Sequence, residues 1–161
     1  MKATTAVVAV LSFCLSNWAT VSNAKAEEDQ TITAKERQAI VATLLQYEKA
    51  LNESNVEGVL ELFTPDGVFM PSGAPSAIST KEISAAYEYV FATIKLDIKF
   101  TIDEIVQSGN YAFARTTSRG QVTILAEGVT TAEENREFFV LQKHDGAWKI
   151  SRYIFNKMSP P

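Results

Sequence analysis

At Leu96 the spacing of apolar residues along the chain changes from helical to alternating, and few folds accommodate that order. Before it, Ile40, Val41, Leu44, Leu45, Tyr47 and Leu51 recur every three or four residues, with Gln38, Gln46, Lys49 and Glu53 on the other side. Ile83, Tyr87, Val90, Phe91 and Ile94 repeat the pattern. After Leu96, Ile98, Phe100 and Ile102 alternate, a turn follows at Ser108-Gly109-Asn110, and Tyr111, Phe113, Arg115 and Thr117 share one strand face. A further strand runs over about residues 130–143, His144-Asp145-Gly146 makes a tight hairpin, and a last strand covers 147–157. Helices followed by a meander of long strands read as an α+β domain, a curved antiparallel sheet with helices on its concave side.

Local signals set the helix boundaries. Thr33 with Glu36 and Ser79 with Glu82 are capping boxes, and Asn55 caps a short helix reaching Phe63. Pro65, Gly67, Pro71, Gly73 and Pro75 impose an extended, turn-rich stretch around Val68 and Phe69.

Residues 1–26 have the three parts of a cleavable signal peptide: Lys2, an apolar run from Ala6 to Leu15, and small residues before Glu27. Ala24-Lys25-Ala26 fits a cleavage site after Ala26, with Ser22-Asn23-Ala24 as the rival after Ala24. The implied division is a signal over 1–26, a disordered start over 27–32, one domain over 33–157 and a tail over 158–161. The location implied is outside the cytoplasm, periplasmic or secreted, with no membrane attachment after cleavage. The only cysteine, Cys14, leaves with the signal, so the mature chain has no disulfide and no thiol nucleophile. One histidine, His144, cannot build a multi-histidine zinc site, and no calcium loop is present; neither a metal nor a cofactor is expected. A net charge of −4 without a Lys/Arg run argues against nucleic acid or anionic membrane as partner.

The phrase Leu62-Phe63-Thr64-Pro65-Asp66-Gly67-Val68-Phe69-Met70-Pro71-Ser72-Gly73-Ala74-Pro75, followed by a helix and closed by Gly146-Ala147-Trp148-Lys149-Ile150, resembles the SnoaL-like branch of the nuclear-transport-factor-2-like superfamily. The resemblance covers about residues 33–157. It implies a cone of three helices wrapped by a strongly bent sheet, a pocket inside the cone, and a homodimer formed through the sheet. Such proteins include ketosteroid isomerase, polyketide cyclases, dehydratases and a kinase association domain, so fold transfers better than function. Tyr47, in Gln46-Tyr47-Glu48-Lys49, resembles the isomerase's catalytic tyrosine, a hydrogen-bond donor to an oxyanion. Met70 stands where the resemblance places the proton-abstracting carboxylate, and Glu137 falls near the second oxyanion donor.

Candidate catalytic residues are therefore Tyr47, Asp66 and Glu137. Tyr47 also suits a plain core position, and Asp66 in Thr-Pro-Asp-Gly suits a turn. Candidate ligand contacts are Tyr47, Phe69, Met70, Tyr87, Phe91, Phe100, Arg115, Arg152 and Asn156. Arg115 and Arg152, each on an apolar strand face, call for a partner: an internal ion pair with Glu137, or an acidic group of a ligand. Asp103, Glu104, Glu133 and Glu134 read as solvated or edge charges. The first reading of function is an exported binding protein for a small apolar or weakly anionic molecule. The second is an isomerase, cyclase or dehydratase working by proton transfer, with Tyr47 as donor and Asp66 or Glu137 as base. The third is a dimeric assembly module.

Overall fold

The computed structural model describes residues 32–158. The signal segment expected over 1–26 lies outside them, and of the start and tail expected to flank the domain only Ile32 and Met158 are described.

Eight elements follow in order: α1 (Ala34–Asn52), α2 (Val56–Leu62), β1 (Phe63–Met70), α3 (Thr80–Thr93), β2 (Ile94–Ser108), β3 (Tyr111–Ile124), β4 (Val129–His144) and β5 (Ala147–Lys157). The caps are those the sequence implies. Thr33 Oγ1 accepts from Glu36 N at 3.2 Å, Ser79 Oγ from Glu82 N at 3.2 Å, and Asn55 Oδ1 from Gly58 N at 2.9 Å. Neither box closes reciprocally. Glu82 accepts from Ile78 N, and Glu36 reaches across the fold to Lys143 Nζ at 2.7 Å and Trp148 Nε1 at 2.5 Å.

The strands form one sheet in the order β1-β5-β4-β3-β2, with β1 parallel to β5 and every other pair antiparallel. Part of the stretch expected to be merely extended is thus an edge strand, where exposed Pro65 is tolerated because an edge leaves amides unpaired. The opposite edge, β2, is covered by α1. Asn52 exchanges hydrogen bonds with Ile98 N and O at 2.9 and 2.8 Å, and buried Glu48 accepts from Phe100 N at 2.7 Å. Ile40, Leu44, Tyr47 and Leu51 of α1, with Ile83 and Tyr87 of α3, pack on Ile98, Ala114, Phe139, Leu141, Ile150 and Tyr153 of the sheet.

Two bulges change which side chains face this core. In β2, Asp103 is the extra residue between the pairs Ile102↔Thr116 and Glu104↔Arg115. In β5, Ser151 is extra between Ile150↔Leu141 and Arg152↔Val140. Trp148 and Ile150 face inward before the β5 bulge, and Tyr153 is buried after it. Arg152, Ile154 and Asn156 therefore turn to the outer face, contrary to the parity counted from Trp148. On that outer face Phe113 stacks on Phe138 at 5.5 Å, and Tyr111, Phe138 and Ile154 are exposed. No helix among the described residues is long and apolar enough to cross a membrane.

Candidate functional site

Inside the cone lies a cavity of about 130 Å³. Tyr47 and Leu51 reach it from α1, Tyr87 and Val90 from α3, and Phe69 and Pro71 from the end of β1. Ile94, Leu96 and Ile98 close one side from β2; Glu133, Asn135 and Glu137 enter from β4, and Tyr153 and Phe155 from β5. A larger depression of about 510 Å³ sits at the β4–β5 hairpin end, beside Lys35, Glu36, Lys143 and Trp148. It is the more polar of the two, and its Glu36 is already satisfied, so the aromatic cavity is the better candidate site.

The aromatic walls are ordered by stacking. Phe69 lies between Tyr87, 4.9 Å away, and Tyr153, 5.4 Å away, and Tyr153 stacks on Phe139 at 4.4 Å. Tyr47 meets Phe63, Tyr87, Phe139 and Tyr153 edge-on. Its hydroxyl shares a short hydrogen bond with that of Tyr87. Two hydroxyl protons and one mutual bond leave one O–H over, available to an acceptor in the cavity or to the neighbouring Tyr153 oxygen. Glu137 lies deeper, accepting from Thr116 Oγ1 at 2.5 Å and from Tyr153 Oη at 3.3 Å.

Burial raises the pKa of the Tyr47, Tyr87 and Tyr153 phenols above the ordinary range, so all three act as donors rather than phenolates. Burial also raises the Glu137 carboxyl, against the opposing hydrogen bonds from Thr116, Ser118 and Tyr153. Because the folded value lies above the ordinary 4.5, the stability tied to the Glu137 proton is fully present below that pH and is lost as pH rises through the folded value. Glu137→Gln has no such proton to lose. Relative to wild type it should gain stability steadily as pH is raised from 4.5 through neutrality. Melting curves across that range check this; a constant offset would show that Glu137 titrates alike in the folded and unfolded chain.

Of the residues singled out from sequence, Tyr47, Phe69, Tyr87 and Glu137 line the cavity. Phe100 packs behind Tyr47 at 6.1 Å and Phe91 beside Tyr87 at 5.7 Å, while half-buried Met70 follows Phe69 along β1; none of the three is in the lining. Arg115 and Arg152 lie outside, and neither pairs with Glu137. Arg115, with a side chain 54% exposed, pairs with Asp103 at 3.2 Å and Glu104 at 3.5 Å. Arg152 donates to Asp66 O at 3.1 Å and lies 3.8 Å from Asp66 Oδ2. Asp66 itself is 70% exposed and lies within edge strand β1 rather than in the turn expected for it, outside the cavity lining, and Asn156 belongs to the outer face with Arg115. The inner face of β3 is Ala112, Ala114, Thr116 and Ser118, small residues that leave room for the aromatic side chains of β4 and β5. Apolar content on the alternate face thus misdirects the choice of side for Arg115.

The sequence reading leaves out Leu51, Tyr153, Phe155 and, above all, Glu133 and Asn135 as cavity residues. Glu133 and Asn135 share the alternation of Glu137, Phe139 and Leu141, which is the signal available for them. Among the described residues, no group of three or more His, Cys, Asp or Glu is placed to hold a metal ion.

The SnoaL-like domain family model matches residues 44–153. The chain is 35% identical to a ketosteroid isomerase-like protein of Erwinia carotovora atroseptica, with 80% of this chain and all of that one covered at a TM-score of 0.76. A conserved protein from Planctomyces limnophilus is similar in fold, at 20% identity and TM-score 0.70 over 78% of this chain and 100% of that one. A nuclear transport factor 2-like protein of Salmonella enterica is also similar in fold, at 18% identity and TM-score 0.71 over 80% and 95%. No curated protein matches the sequence. With the family model, the Erwinia relative and the helix–sheet cone in agreement, the chain belongs to the SnoaL-like family.

Proposed function

We propose that the protein, exported by way of residues 1–26, binds a small uncharged molecule inside the cone through an oxygen that accepts from the Tyr47–Tyr87 pair. The observation that carries this reading is a cavity walled by aromatic side chains, with a phenolic O–H that the Tyr47–Tyr87 bond does not use and no basic side chain in its lining. With both arginines outside, an anionic ligand loses the partner expected for it. The volume bounds the ligand: about 130 Å³ is close to the ~150 Å³ of an engineered apolar cavity that accepts benzene, and well below the ~300 Å³ where drug-sized pockets begin. That volume favours a ligand of about one ring over a steroid nucleus.

The name of the Erwinia relative favours a second reading, isomerisation by proton transfer. Against it, Met70 occupies the position the resemblance gives to the base, and Asp66, exposed on edge strand β1 and outside the cavity lining, cannot replace it. Binding is the reading better supported.

The test uses protein recovered from the cell envelope or medium, where its presence is the check on export. Cyclic ketones, lactones and aromatic ketones of one ring are expected to raise the melting temperature, and four-ring sterols are not. Removing one hydroxyl leaves the other free to donate, so the informative variant is Tyr47→Phe with Tyr87→Phe. It should weaken binding about five- to tenfold, the worth of one neutral hydrogen bond. No shift with any one-ring compound, or equal binding of sterols, would overturn the reading.

A further inference from the structure

Glu137 is a buried acid at the inner end of a row of hydroxyls that reaches the cavity. The side chains that act on it are neutral: Thr116 and Ser118 from β3 and Tyr153 from β5. Its two oxygens differ. Oε2 accepts from Thr116 Oγ1 at 2.5 Å, whereas Oε1 meets Tyr153 Oη at 3.3 Å. A proton added to the carboxyl therefore belongs on Oε1, facing Tyr153. The Tyr153 hydroxyl neighbours that of Tyr47, and Tyr47 is bonded to Tyr87, whose hydroxyl has no second partner among the described residues. All four side chains border the cavity. No other charge enters the row. Glu133, also on β4, is held by Lys157 at 2.7 Å, and Arg115 and Arg136 approach the Glu137 position from the outer face. The helices α1 and α3 present Tyr47 and Tyr87, and β1 and β2 present Phe69 and Ile98.

A phenol carries one proton, so each hydroxyl in such a row donates one way and accepts from the other, and the end group sets the direction. Ionised Glu137 only accepts: Tyr153 donates to it, Tyr47 to Tyr153 and Tyr87 to Tyr47, which leaves the cavity facing a Tyr87 lone pair. Neutral Glu137 donates: its Oε1–H points at Tyr153, Tyr153 at Tyr47 and Tyr47 at Tyr87, which turns the Tyr87 O–H into the cavity. Resting on the binding reading above, we propose that the proton on Glu137 selects the ligand class, with carbonyl acceptors held when Glu137 is neutral and O–H or N–H donors when it is ionised. Each hydroxyl turns about its own C–O bond, so no proton leaves its oxygen and no phenolate forms. Burial raises the Glu137 carboxyl above the ordinary 4.5, which brings the exchange toward neutral pH.

Acetophenone, an acceptor only, and pyrrole, a donor only, are one-ring probes that do not titrate between about pH 4.5 and about pH 8. By calorimetry or ligand-observed NMR, wild type should lose about five- to tenfold in acetophenone affinity as pH rises through that range, and gain as much for pyrrole, as one neutral hydrogen bond implies. Glu137→Gln, whose amide donates to Tyr153 at every pH, should hold acetophenone throughout as tightly as wild type does at the acid end. Tyr153→Phe breaks the row but leaves Glu137 to titrate, so both slopes should vanish; a carboxylate acting through its field alone would keep them. The only histidine, His144, is intact in both variants, so a slope of its making would also persist. Binding without a pH slope, a slope for one probe alone, slopes of the same sign, or slopes that survive in either variant overturn the proposal and leave the cavity reading standing. If neither probe binds wild type at any pH, both readings fall.

Discussion

Replacing Gly120 by alanine is expected to cost the domain on the order of 3 kcal/mol, far more than one methyl group on a strand normally does. A Cβ built at Gly120 would stand 2.0 Å from Asp97 O and 2.8 Å from Ile98 Cα, both backbone atoms of the neighbouring strand. No rotamer change relieves contacts with backbone; relief requires parting β2 from β3 where Gly120 pairs with Ile98. Its partner on the other side is Glu133, so both neighbours of Gly120 line the cavity, and the close approach that closes the sheet around it runs through this glycine. Against a total stability of ~5–15 kcal/mol for an ordinary domain, the loss should lower the melting temperature by roughly 10 °C or more. Gly109→Ala makes the comparison. Gly109 has φ +57 and nothing within 4 Å of its would-be Cβ, so its substitution costs only backbone strain, ~1–2 kcal/mol. If the two variants melt together, the approach of β2 to Gly120 is looser than these distances imply.

The fold was legible because its signals are local and repeat. Thr33, Asn55 and Ser79 accept the hydrogen bonds their positions imply, and the hairpin at Asp145-Gly146 uses the positive φ values of 49 and 80 that an Asp-Gly pair supplies. The switch at Leu96 corresponds to β2, which begins at Ile94. What alternation could not supply was its own interruptions. Ser151 carries no mark in sequence that distinguishes a bulge residue from a paired one, yet it reverses the phase of everything after it in β5. That one insertion moves Arg152 and Asn156 out of the cavity and sets Tyr153 and Phe155 in it.

The candidate site was half legible for a related reason. Tyr47, Phe69, Tyr87 and Glu137 sit on uninterrupted patterns or on the family resemblance, and they reach the cavity. Glu133 follows the same inward alternation as Glu137, but a pair of adjacent glutamates reads as solvated when nothing shows what covers it. Its cover comes from β5: Lys157 lies beside it, 24 residues further along the chain. The arginines depart from expectation in the opposite sense. Each does have an acid partner, but the acids are Asp103, Glu104 and Asp66 on the outer side rather than Glu137 within.

Tyr47→Ala is expected to cost ~3–5 kcal/mol, the range for emptying a buried aromatic site, and to leave little of the cone folded at physiological temperature. The ring is 1% exposed and touches aromatic side chains from four directions: Phe63 on β1, Tyr87 on α3, Phe139 on β4 and Tyr153 on β5. Because these contacts belong to separate elements, the void cannot be filled by one neighbour relaxing, and the cost of the cavity is felt nearly in full. Tyr47→Phe keeps the ring and removes only the hydroxyl. Its cost is expected to be ~1–2 kcal/mol, because Tyr87 loses its bonded partner while remaining buried. The two variants therefore separate the packing role of Tyr47 from its donor role. Denaturant titration of both measures the difference, which should be at least ~1 kcal/mol in favour of phenylalanine. Equal losses would mean that the hydroxyl, through its bond to Tyr87, holds the aromatic cluster in place; a negligible loss for alanine would mean that the cone closes over the gap, and that the cavity is a space the fold does not need to keep.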